Sequence, residues 1–314
     1  MDTKLIVSAS PHVRSEETTQ SLMANVIVAL CPCVVASAII FGVRALLVTA
    51  VSVVACVAFE WLYCKLLKKP NPISDLSAVV TGIILAMNVP VGMPIGQLII
   101  GDLVAIVIVK QLFGGLGYNV ANPAIVARIA LAMGFASRMT NYPHPANGID
   151  ALASATPLAV SGDLGAANYV TLLLGNHGGV LGETCAITLL LGGIYLIATK
   201  VISPVIPVTY LATVAVLSAV SGHDPIVQLL SGGLMLGAFF MATDYVTSPT
   251  TNKGKLVFGI GLGIITCAIR FLGTMNEGVS FAILLMNLLV PYIEILTRQD
   301  RLGIAKAKKE GAAK

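Results

Sequence analysis

Charge is scarce in this sequence. Only 11% of its 314 residues are Asp, Glu, Lys or Arg, whereas roughly a quarter are charged in an ordinary soluble domain. Hydrophobic residues make up 56%, and apolar stretches recur from one end of the chain to the other. A water-soluble surface cannot be built from this composition. We therefore expect an integral membrane protein without a soluble domain of appreciable size.

Sequence patterns for metals and nucleotides are missing as well. The six cysteines form no CxxC pair and the four histidines no i, i+4 pair, which argues against zinc, iron–sulfur or haem sites. No glycine-rich dinucleotide fingerprint is present. Positive charge is concentrated in residues 298–314, as in a solvated cytoplasmic tail, and no nucleic-acid binding is expected. The chain alone thus holds no complete NAD-dependent active site.

Apolar segments between Gly, Pro and charged breaks predict an all-α membrane protein with about ten transmembrane helices. Several segments, above all the third and the fifth, are too short to cross about 30 Å of hydrocarbon at about 1.5 Å per residue. We expect these helices to be broken or to end inside the protein. The predicted spans are residues 22–42, 45–66, 76–89, 95–113, 123–136, 184–198, 204–220, 226–243, 256–272 and 279–296.

Basic residues predict the orientation, because cytoplasmic loops of membrane proteins carry an excess of Lys and Arg. The lysines predicted in loops on one side are Lys65, Lys68, Lys69, Lys110, Lys200, Lys253 and Lys255. The chain then divides into a cytoplasmic N-terminal tail (1–21), a first five-helix repeat (22–137), an extracytoplasmic segment (138–182), a second five-helix repeat (183–297) and a basic cytoplasmic tail (298–314).

The two halves share a weak internal repeat. TGIILAMNVP (81–90) matches LGAFFMATDY (236–245), and residues 113–131 match residues 271–289 at a similar offset. Five helices in each half would invert one half relative to the other. Chance similarity between apolar segments is the alternative explanation. Inverted repeats with broken helices are also typical of secondary transporters and channels that hold no redox cofactor.

Two loops combine glycine, amide and hydroxyl residues beside apolar spans. GGLGYNVANPA (114–124) contains Asn119 and Asn122. It either cradles a cofactor or an ion, or forms a tight re-entrant turn in which Asn122 caps a short helix. MATDYVTSPTTNKGK (241–255), its counterpart in the second half, contains Thr243 and Asp244. Such polar residues within membrane depth are costly and usually functional.

Three charged residues in or beside the spans are further candidates. Asp102 lies in the middle of the fourth span and needs a partner or a proton, so it is either a cation or proton relay or a hydrogen-bonding group between helices. Glu183 opens the sixth span and is a second ion-path candidate, or else a boundary charge. Arg128, in the short fifth span, either faces a cofactor or has a structural role.

The predicted exterior segment contains DALASAT (150–156), which by itself is no more than a polar turn. It occurs here together with SPHVRSEETTQSLM (10–23), GGLGYNVANPA, GGVLGETCAITLLLGGIYL (178–196), FFMATDYVTSPTTNKGKLVFG (239–259) and NEGVSFAILLMNLLVP (276–291). With these motifs the chain resembles, over nearly its whole length, the RnfD family of Rnf electron-transport complexes. This family is related to a membrane component, NqrB, of the sodium-translocating NADH:quinone reductase.

The resemblance implies cofactors and the residues that hold them. In that family a flavin transferase attaches FMN, through its phosphate, to a threonine at the end of a D-g-x-(s/t)-(g/s)-A-T pattern. It implies covalent FMN on Thr156, with Asp150, Ser154 and Ala155 in the attachment motif. Some members bind a second, noncovalent flavin, riboflavin, which we expect near the two polar loops. The candidates for contact with it are Asn119, Asn122, Arg128, Thr243 and Asp244.

The implied function is that of an electron-carrier subunit in the cell (inner) membrane. The complex would move electrons between ferredoxin and NAD and couple this to Na⁺ or H⁺ translocation. Implied partners are other membrane subunits, a second FMN-bearing subunit, peripheral subunits on the ferredoxin and NAD side, and the flavin transferase. The rival hypotheses are an inverted-repeat transporter or channel, and a scaffold subunit that has lost its flavin.

Overall fold

The computed structural model describes residues 17–70, 72–142, 166–175, 177–183, 185–273 and 278–298, and within these ranges every regular element is a helix. Two long helices come first, α1 (Thr19–Phe41) and α2 (Val43–Leu66). Thr18 caps α1, since its side-chain oxygen accepts a hydrogen bond from the Ser21 amide at 3.1 Å. Gly42 makes the turn between the two helices with a φ of 77°, which glycine adopts without strain.

Shorter helices follow in the first half. They are a 3₁₀ turn (Ile73–Asp75), α3 (Ser77–Met87), α4 (Ile95–Leu103) with its direct π-helical continuation (Val104–Gln111), α5 (Pro123–Gly134) and α6 (Ala136–Met139). Asn122 caps α5, because its Oδ1 accepts from the Ala124 amide at 3.0 Å. The predicted third and fifth spans are therefore short helices, as the sequence indicates, with 11 and 12 residues.

The described residues after α6 include an unpredicted helix and a broken span. Helix α7 (Ala166–Leu174) lies in the predicted exterior segment, where no helix was expected. The predicted eighth span is interrupted at Gly232 and Gly233, whose φ angles are 72° and 65°. The elements after α7 are α8 (Ala186–Ala198), α9 (Val205–Val220), α10 (Pro225–Leu230), α11 (Leu234–Leu236) with its π-helical continuation (Gly237–Met241), α12 (Asn252–Leu272) and α13 (Val279–Thr297).

Burial differs between the short helix α3 and the first two long helices. In α3, nine of the 11 residues are buried, whereas α1 and α2 expose apolar side chains such as Val35, Ile39 and Val54. Such surfaces suit lipid, which is as apolar as the side chains themselves. Among the described helices, α1, α2, α12 and α13 are long and apolar enough to cross a membrane, and α3, α5, α8 and α9 are shorter apolar helices. The chain is a multi-pass helical membrane protein.

Close helix contacts join the two halves. Helix α1 packs on α8, and α5 packs on α13. A Cβ added to Gly192 of α8 would lie 2.3 Å from the Ala29 carbonyl oxygen of α1, so only glycine permits this approach. Gly82 of α3 is equally constrained, since a Cβ there would lie 2.8 Å from Val53 Cα on α2. These contacts hold the short helices between the long ones.

Candidate functional site

One pocket lies where the N-terminal parts of α3 and α5 meet the end of the π-helical segment Gly237–Met241. Helices α1 and α8 complete its walls. It contains about 710 Å³ of empty space, including its open mouth. The polar side of the wall includes Ser77, Lys110, Asn119, Asn122, Thr243 and Asp244.

Four of the five residues predicted near a noncovalent flavin line this pocket: Asn119, Asn122, Thr243 and Asp244. The Thr243 hydroxyl donates to the Phe239 carbonyl at 2.6 Å, and an Asp244 carboxylate oxygen accepts from the Thr247 hydroxyl at 3.1 Å. Asn119 Oδ1 is buried and has no hydrogen-bond partner among the described residues.

Aromatic side chains form another part of the wall. Phe239, Phe240 and Tyr245 line the pocket together with apolar residues of α1, α3 and α8. Lys110 contributes a positive charge and Ser77 a hydroxyl. The combination of aromatic rings with separate donors and acceptors suits a planar heteroaromatic molecule that carries N–H and carbonyl groups.

Arg128, the fifth candidate, is not part of the pocket wall. Its guanidinium donates to Asn88 Oδ1 at 3.1 Å and to Ser280 Oγ at 2.9 Å. Asn88 directly follows α3, and Ser280 belongs to α13. Arg128 therefore links α5 both to the end of α3 and to the last helix of the second half.

Asn122, the N-cap of α5, connects this helix to the π-helical segment Gly237–Met241 and to α13. Its Nδ2 donates to the Met241 carbonyl at 3.3 Å. With the amide of Asn287 oriented to match its neighbours, Asn287 Oδ1 accepts from the Asn122 backbone amide at 3.2 Å, and its Nδ2 donates to the Thr247 carbonyl at 3.1 Å. Two predictions for Asn122 are thus compatible, because one residue both caps a helix and lines the pocket.

The prediction that Lys110 lies in a loop is wrong. Lys110 belongs to the π-helical segment and is 1% exposed. Its Nζ lies 2.5 Å from Glu60 Oε1 and 2.6 Å from Ser77 Oγ, and Gln111 Nε2 donates to the same Glu60 oxygen at 2.7 Å. The physical reason is charge neutralisation, because a buried cation is tolerated when an anion and further hydrogen bonds compensate it.

Asp102 is fully buried between α2, α3 and α4. Its Oδ1 lies 2.6 Å from Ser52 Oγ and 3.3 Å from Cys56 Sγ, both on α2. The other oxygen, Oδ2, is buried without a hydrogen-bond partner among the described residues. Asp102 is also not part of the pocket wall.

Glu183 lies at a junction between the halves. It is 2% exposed, and one of its carboxylate oxygens accepts from the Gly232 amide at the break between α10 and α11. The preceding residue, Gly182, donates its amide to the Met87 carbonyl at 2.7 Å, at the end of α3. The segment before α8 thus caps α3 on one side and holds the α10–α11 break on the other.

The predicted attachment motif lies outside the described residues. This applies to Thr156, Asp150, Ser154 and Ala155. Their predicted role therefore rests on the sequence alone.

Sequence reasoning missed several members of the buried polar network. Asn88, Ser280, Asn287 and the Glu60–Lys110 pair were not predicted as parts of it. A signal was present for Asn287, since an amide in the apolar run LLMNLLVP is costly in a membrane unless it has partners. No sequence signal indicates which partners they are.

Long apolar helices combined with short and interrupted ones define a class: multi-pass helical membrane proteins with broken helices. The family model described as "NQR2, RnfD, RnfE family" matches residues 6–303. The chain belongs to the NQR2, RnfD, RnfE family.

Individual relatives agree with this assignment over almost their whole length. A protein of Acetobacterium woodii, named as the D component of a Na(+)-translocating ferredoxin:NAD(+) oxidoreductase complex, is 46% identical, with 98% of each chain covered. A Clostridium ljungdahlii protein, named as the D component of a proton-translocating ferredoxin:NAD(+) oxidoreductase complex, is 40% identical, covering 95% of this chain and 96% of its own. A Vibrio cholerae protein, named as the D component of an ion-translocating oxidoreductase complex, is 34% identical, covering 95% and 99%.

Proposed function

We propose that this chain is the membrane electron-carrier subunit of the RnfD type in an Rnf-type complex. The complex couples electron transfer between ferredoxin and NAD to the translocation of Na⁺ or H⁺. The observation that carries the proposal is the similarity to proteins named in this way, which extends over 98% of both chains for the Acetobacterium woodii protein. One relative is named as Na⁺-translocating and another as proton-translocating. The proposal therefore includes both ions as alternatives.

The proposed covalent cofactor is FMN, esterified through its phosphate to Thr156 by a flavin transferase. The support is the motif DALASAT, in which Ser154 and Ala155 are small neighbours of the acceptor hydroxyl and Asp150 leads the motif. When bound, FMN supplies the electron-transfer chemistry, and the chain's part is to position it and exclude competing reactions. A covalent bond retains the flavin on the outer face of the membrane, where a dissociated flavin would be lost.

The proposed noncovalent cofactor is riboflavin, in the pocket between the two polar loops. The residues present fit this group. Phe239, Phe240 and Tyr245 offer aromatic contacts, and the unpartnered Asn119 Oδ1 offers an acceptor for an N–H group. The positive charge of Lys110 lies in the same wall, and a charge beside a flavin ring is one of the means by which proteins tune its electronics.

Hydrogen bonds of Asn122 and Arg128 help to keep the pocket formed. Asn122 is held by Met241 from the second half, and Arg128 joins α5 to α13. These contacts fix the two polar loops relative to each other before any ligand binds. A pocket that is already formed costs less conformational entropy on binding.

The proposed partners follow from the lack of a complete redox chain in this polypeptide. The sequence has no dinucleotide fingerprint and no iron–sulfur cysteine pattern. Peripheral subunits would handle ferredoxin and NAD, a second FMN-bearing subunit would exchange electrons on the outer side, and further membrane subunits would complete the complex. Asp102 and Glu183 are the proposed ion-path residues of this chain, since both are buried carboxylates.

We further propose two inverted five-helix repeats in the cell membrane, with both termini cytoplasmic and Thr156 extracytoplasmic. Packing supports the repeat, because the contacts α1–α8 and α5–α13 pair helices that are equivalent in the two halves. Alkaline phosphatase fused after residue 160 and green fluorescent protein fused at the C-terminus test the orientation. We expect phosphatase activity in the first fusion and fluorescence in the second, and the reverse result would contradict the proposed orientation.

The covalent flavin has a direct test. The chain is produced with its complex and with a flavin transferase, separated by denaturing electrophoresis, and inspected under ultraviolet light. We expect a fluorescent band that is lost in Thr156→Val and kept in Thr140→Val. Thr140 is a suitable control because it is an exposed threonine near the start of the predicted exterior segment.

The rival functions give different results in the same experiment. A transporter or channel gives no fluorescence even with the transferase present, and it does not require a redox complex. A scaffold subunit without flavin also gives a dark band but still assembles with its partners. Mass spectrometry of the native chain in a functioning complex decides the matter, since an unmodified Thr156 would overturn the electron-carrier proposal.

A further inference from the structure

Asp102 occupies a buried site that the flavin chemistry does not use. It lies in the last turn of α4, directly before the π-helical segment Val104–Gln111. Local π-helical turns occur frequently at functional sites. Ser52 and Cys56, one turn apart on α2, face its carboxyl group, and α3 contributes the Gly82 carbonyl. The side chain is 0% exposed.

No positive charge in the described part of the chain compensates this carboxyl group. Lys110 is engaged with Glu60 and Ser77, and Arg128 on α5 is directed to Asn88 and Ser280. The other titratable groups facing the site are on α2, namely the Cys56 thiol and, farther along, Glu60, while α3 has none. An ionised carboxylate in this position would be a buried charge without a counter-ion, which costs at least about 2.5 kcal/mol in a membrane.

The hydrogen bonds of Ser52 also indicate that Asp102 is protonated. Ser52 Oγ lies 2.6 Å from Asp102 Oδ1 and 3.0 Å from the Gly82 carbonyl oxygen. A hydroxyl has one hydrogen, and neither a carbonyl nor an ionised carboxylate can donate. With Asp102 ionised, one of the two contacts would join two acceptors without a hydrogen. With Asp102 protonated, its O–H donates to Ser52 Oγ, and the Ser52 hydroxyl donates to Gly82 O.

We propose that the Asp102 carboxyl group is an intramembrane proton-binding site, held as a neutral acid by the hydrogen-bond chain Asp102 to Ser52 to Gly82. The proton leaves and returns during the ion-translocating cycle. Resting protonation follows from the geometry alone, whereas exchange during the cycle rests on the proposed function. In the chemical step only a proton moves: the O–H bond of the acid breaks, a water molecule that reaches the site accepts the proton and a carboxylate remains, and the O–H bond forms again when hydronium returns the proton.

The ligands around Asp102 favour a proton over Na⁺. The site offers the carboxyl group, one hydroxyl and one carbonyl oxygen, and its fourth neighbour is the Cys56 sulfur. Hard metal cations take several oxygen ligands and leave soft sulfur ligands to other metals. A proton needs only one acceptor on each side, which this site provides.

Infrared difference spectroscopy of the purified complex tests the resting state. We subtract the spectrum of Asp102→Asn from that of the wild type and expect the C=O band of a protonated carboxylic acid. The band should persist at saturating Na⁺. Asp102→Glu, which keeps the acid, replaces Asp102→Asn if that variant does not assemble, and should shift the band. A difference spectrum with carboxylate bands alone, or an acid band that Na⁺ converts to carboxylate, would overturn the proposal.

Ser52→Ala and Thr49→Val form a matched pair for the hydrogen-bond chain. Thr49 is a buried hydroxyl one turn earlier on α2, and its hydrogen bond within the described residues goes to the Ala45 carbonyl of its own helix. We expect Ser52→Ala to shift the acid band and Thr49→Val to leave it in place. Equal shifts of the acid band in both variants, or no shift in Ser52→Ala, would contradict the proposed hydrogen-bond chain.

The loss and return of the Asp102 proton during the cycle are tested in proteoliposomes that contain the complex and are supplied with reduced ferredoxin and NAD. We expect the acid band to change reversibly during turnover in wild type, and Asp102→Asn to lose ion uptake while its flavin is still reduced. Unchanged ion uptake in Asp102→Asn would overturn the exchange. Flavin fluorescence of the same preparation separates the two proposals, because its absence contradicts the electron-carrier function without affecting the acid band.

Discussion

Lys110 and Glu60 form a buried ion pair between the π-helical segment Val104–Gln111 and α2, with 2.5 Å between Nζ and Oε1. Both side chains are almost completely shielded, and Lys110 also lines the pocket. The pair therefore brings a positive charge to the pocket wall without placing a net charge inside the membrane. It connects the lipid-facing helix α2 to the candidate cofactor site.

Breaking this pair should destabilise the complex strongly. Lys110→Met leaves Glu60 as an unpaired buried charge, and Glu60→Gln does the same for Lys110, so each single change is expected to cost about 3–5 kcal/mol. The double variant removes both charges and should recover most of the loss. Thermal unfolding of the detergent-solubilised complex, followed by size-exclusion chromatography, measures the effect.

Lys65→Met is the control for this prediction, because Lys65 is exposed at the end of α2. It removes a cation–π contact with Trp61 and should therefore change the stability by about 1 kcal/mol or less. A double variant as unstable as the sum of the single ones would show that the two charges do not compensate each other.

Helix packing at Gly192 should not tolerate a methyl group. Gly192→Ala places a Cβ 2.3 Å from the Ala29 carbonyl oxygen, and this rigid backbone atom cannot move aside without separating α1 from α8. Overpacking of this kind costs about 1–3 kcal/mol or more. Gly96→Ala on α4 is the matched control, since nothing lies within 4 Å of its added Cβ. Equal thermal stability of the two variants would contradict the packing argument.

Asn119 is expected to be important for the noncovalent flavin. Asn119→Leu removes the unpartnered acceptor from the pocket wall, and the loss of one hydrogen bond to a buried group, about 1–3 kcal/mol, should weaken binding about tenfold or more. The amount of flavin released on denaturation of the purified complex is the measurement. The fluorescence of the Thr156 band should stay unchanged in the same sample.

Two further variants make this test specific. Asn119→Asp keeps a carbonyl-type acceptor and should retain more flavin than Asn119→Leu. Tyr118→Phe changes the neighbouring exposed residue, which is not part of the pocket wall, and should have no effect. Full retention of releasable flavin in Asn119→Leu would contradict the proposed riboflavin site.

Arg128 is expected to stabilise the helix packing and not to contact the cofactor. Arg128→Met leaves Asn88 Oδ1 and Ser280 Oγ without their donor between α3, α5 and α13, and an unsatisfied buried polar group costs about 1–3 kcal/mol. Arg128→Lys restores the charge but not the fork of donors and should recover only part of the stability. Arg138→Met, at an exposed position, is the control. A complex of unchanged thermal stability but altered flavin spectrum would instead indicate contact with the cofactor.

The short third and fifth helices were predictable because their length is visible in the sequence. Fewer than 15 apolar residues between helix-breaking signals cannot cross the membrane, and Asn122–Pro123 marks the start of α5. The ion pair of Lys110 was not predictable. Its lysine is close to the end of an apolar run, where the positive-inside rule places it in a loop. Only the packing of α2 against the π-helical segment brings Glu60 to it.

The sequence by itself determined the membrane class, the helical architecture, the family and the motif around Thr156, because composition, apolar length and local motifs do not depend on distant contacts. Tertiary structure alone decided that Ser77 and Lys110 join the predicted residues in one pocket, that Arg128 lies outside it, and that Ser52 and Gly82 enclose Asp102. These groups come from segments far apart in the chain. Their meeting depends on the contacts between glycine-lined helices, which local sequence patterns do not specify.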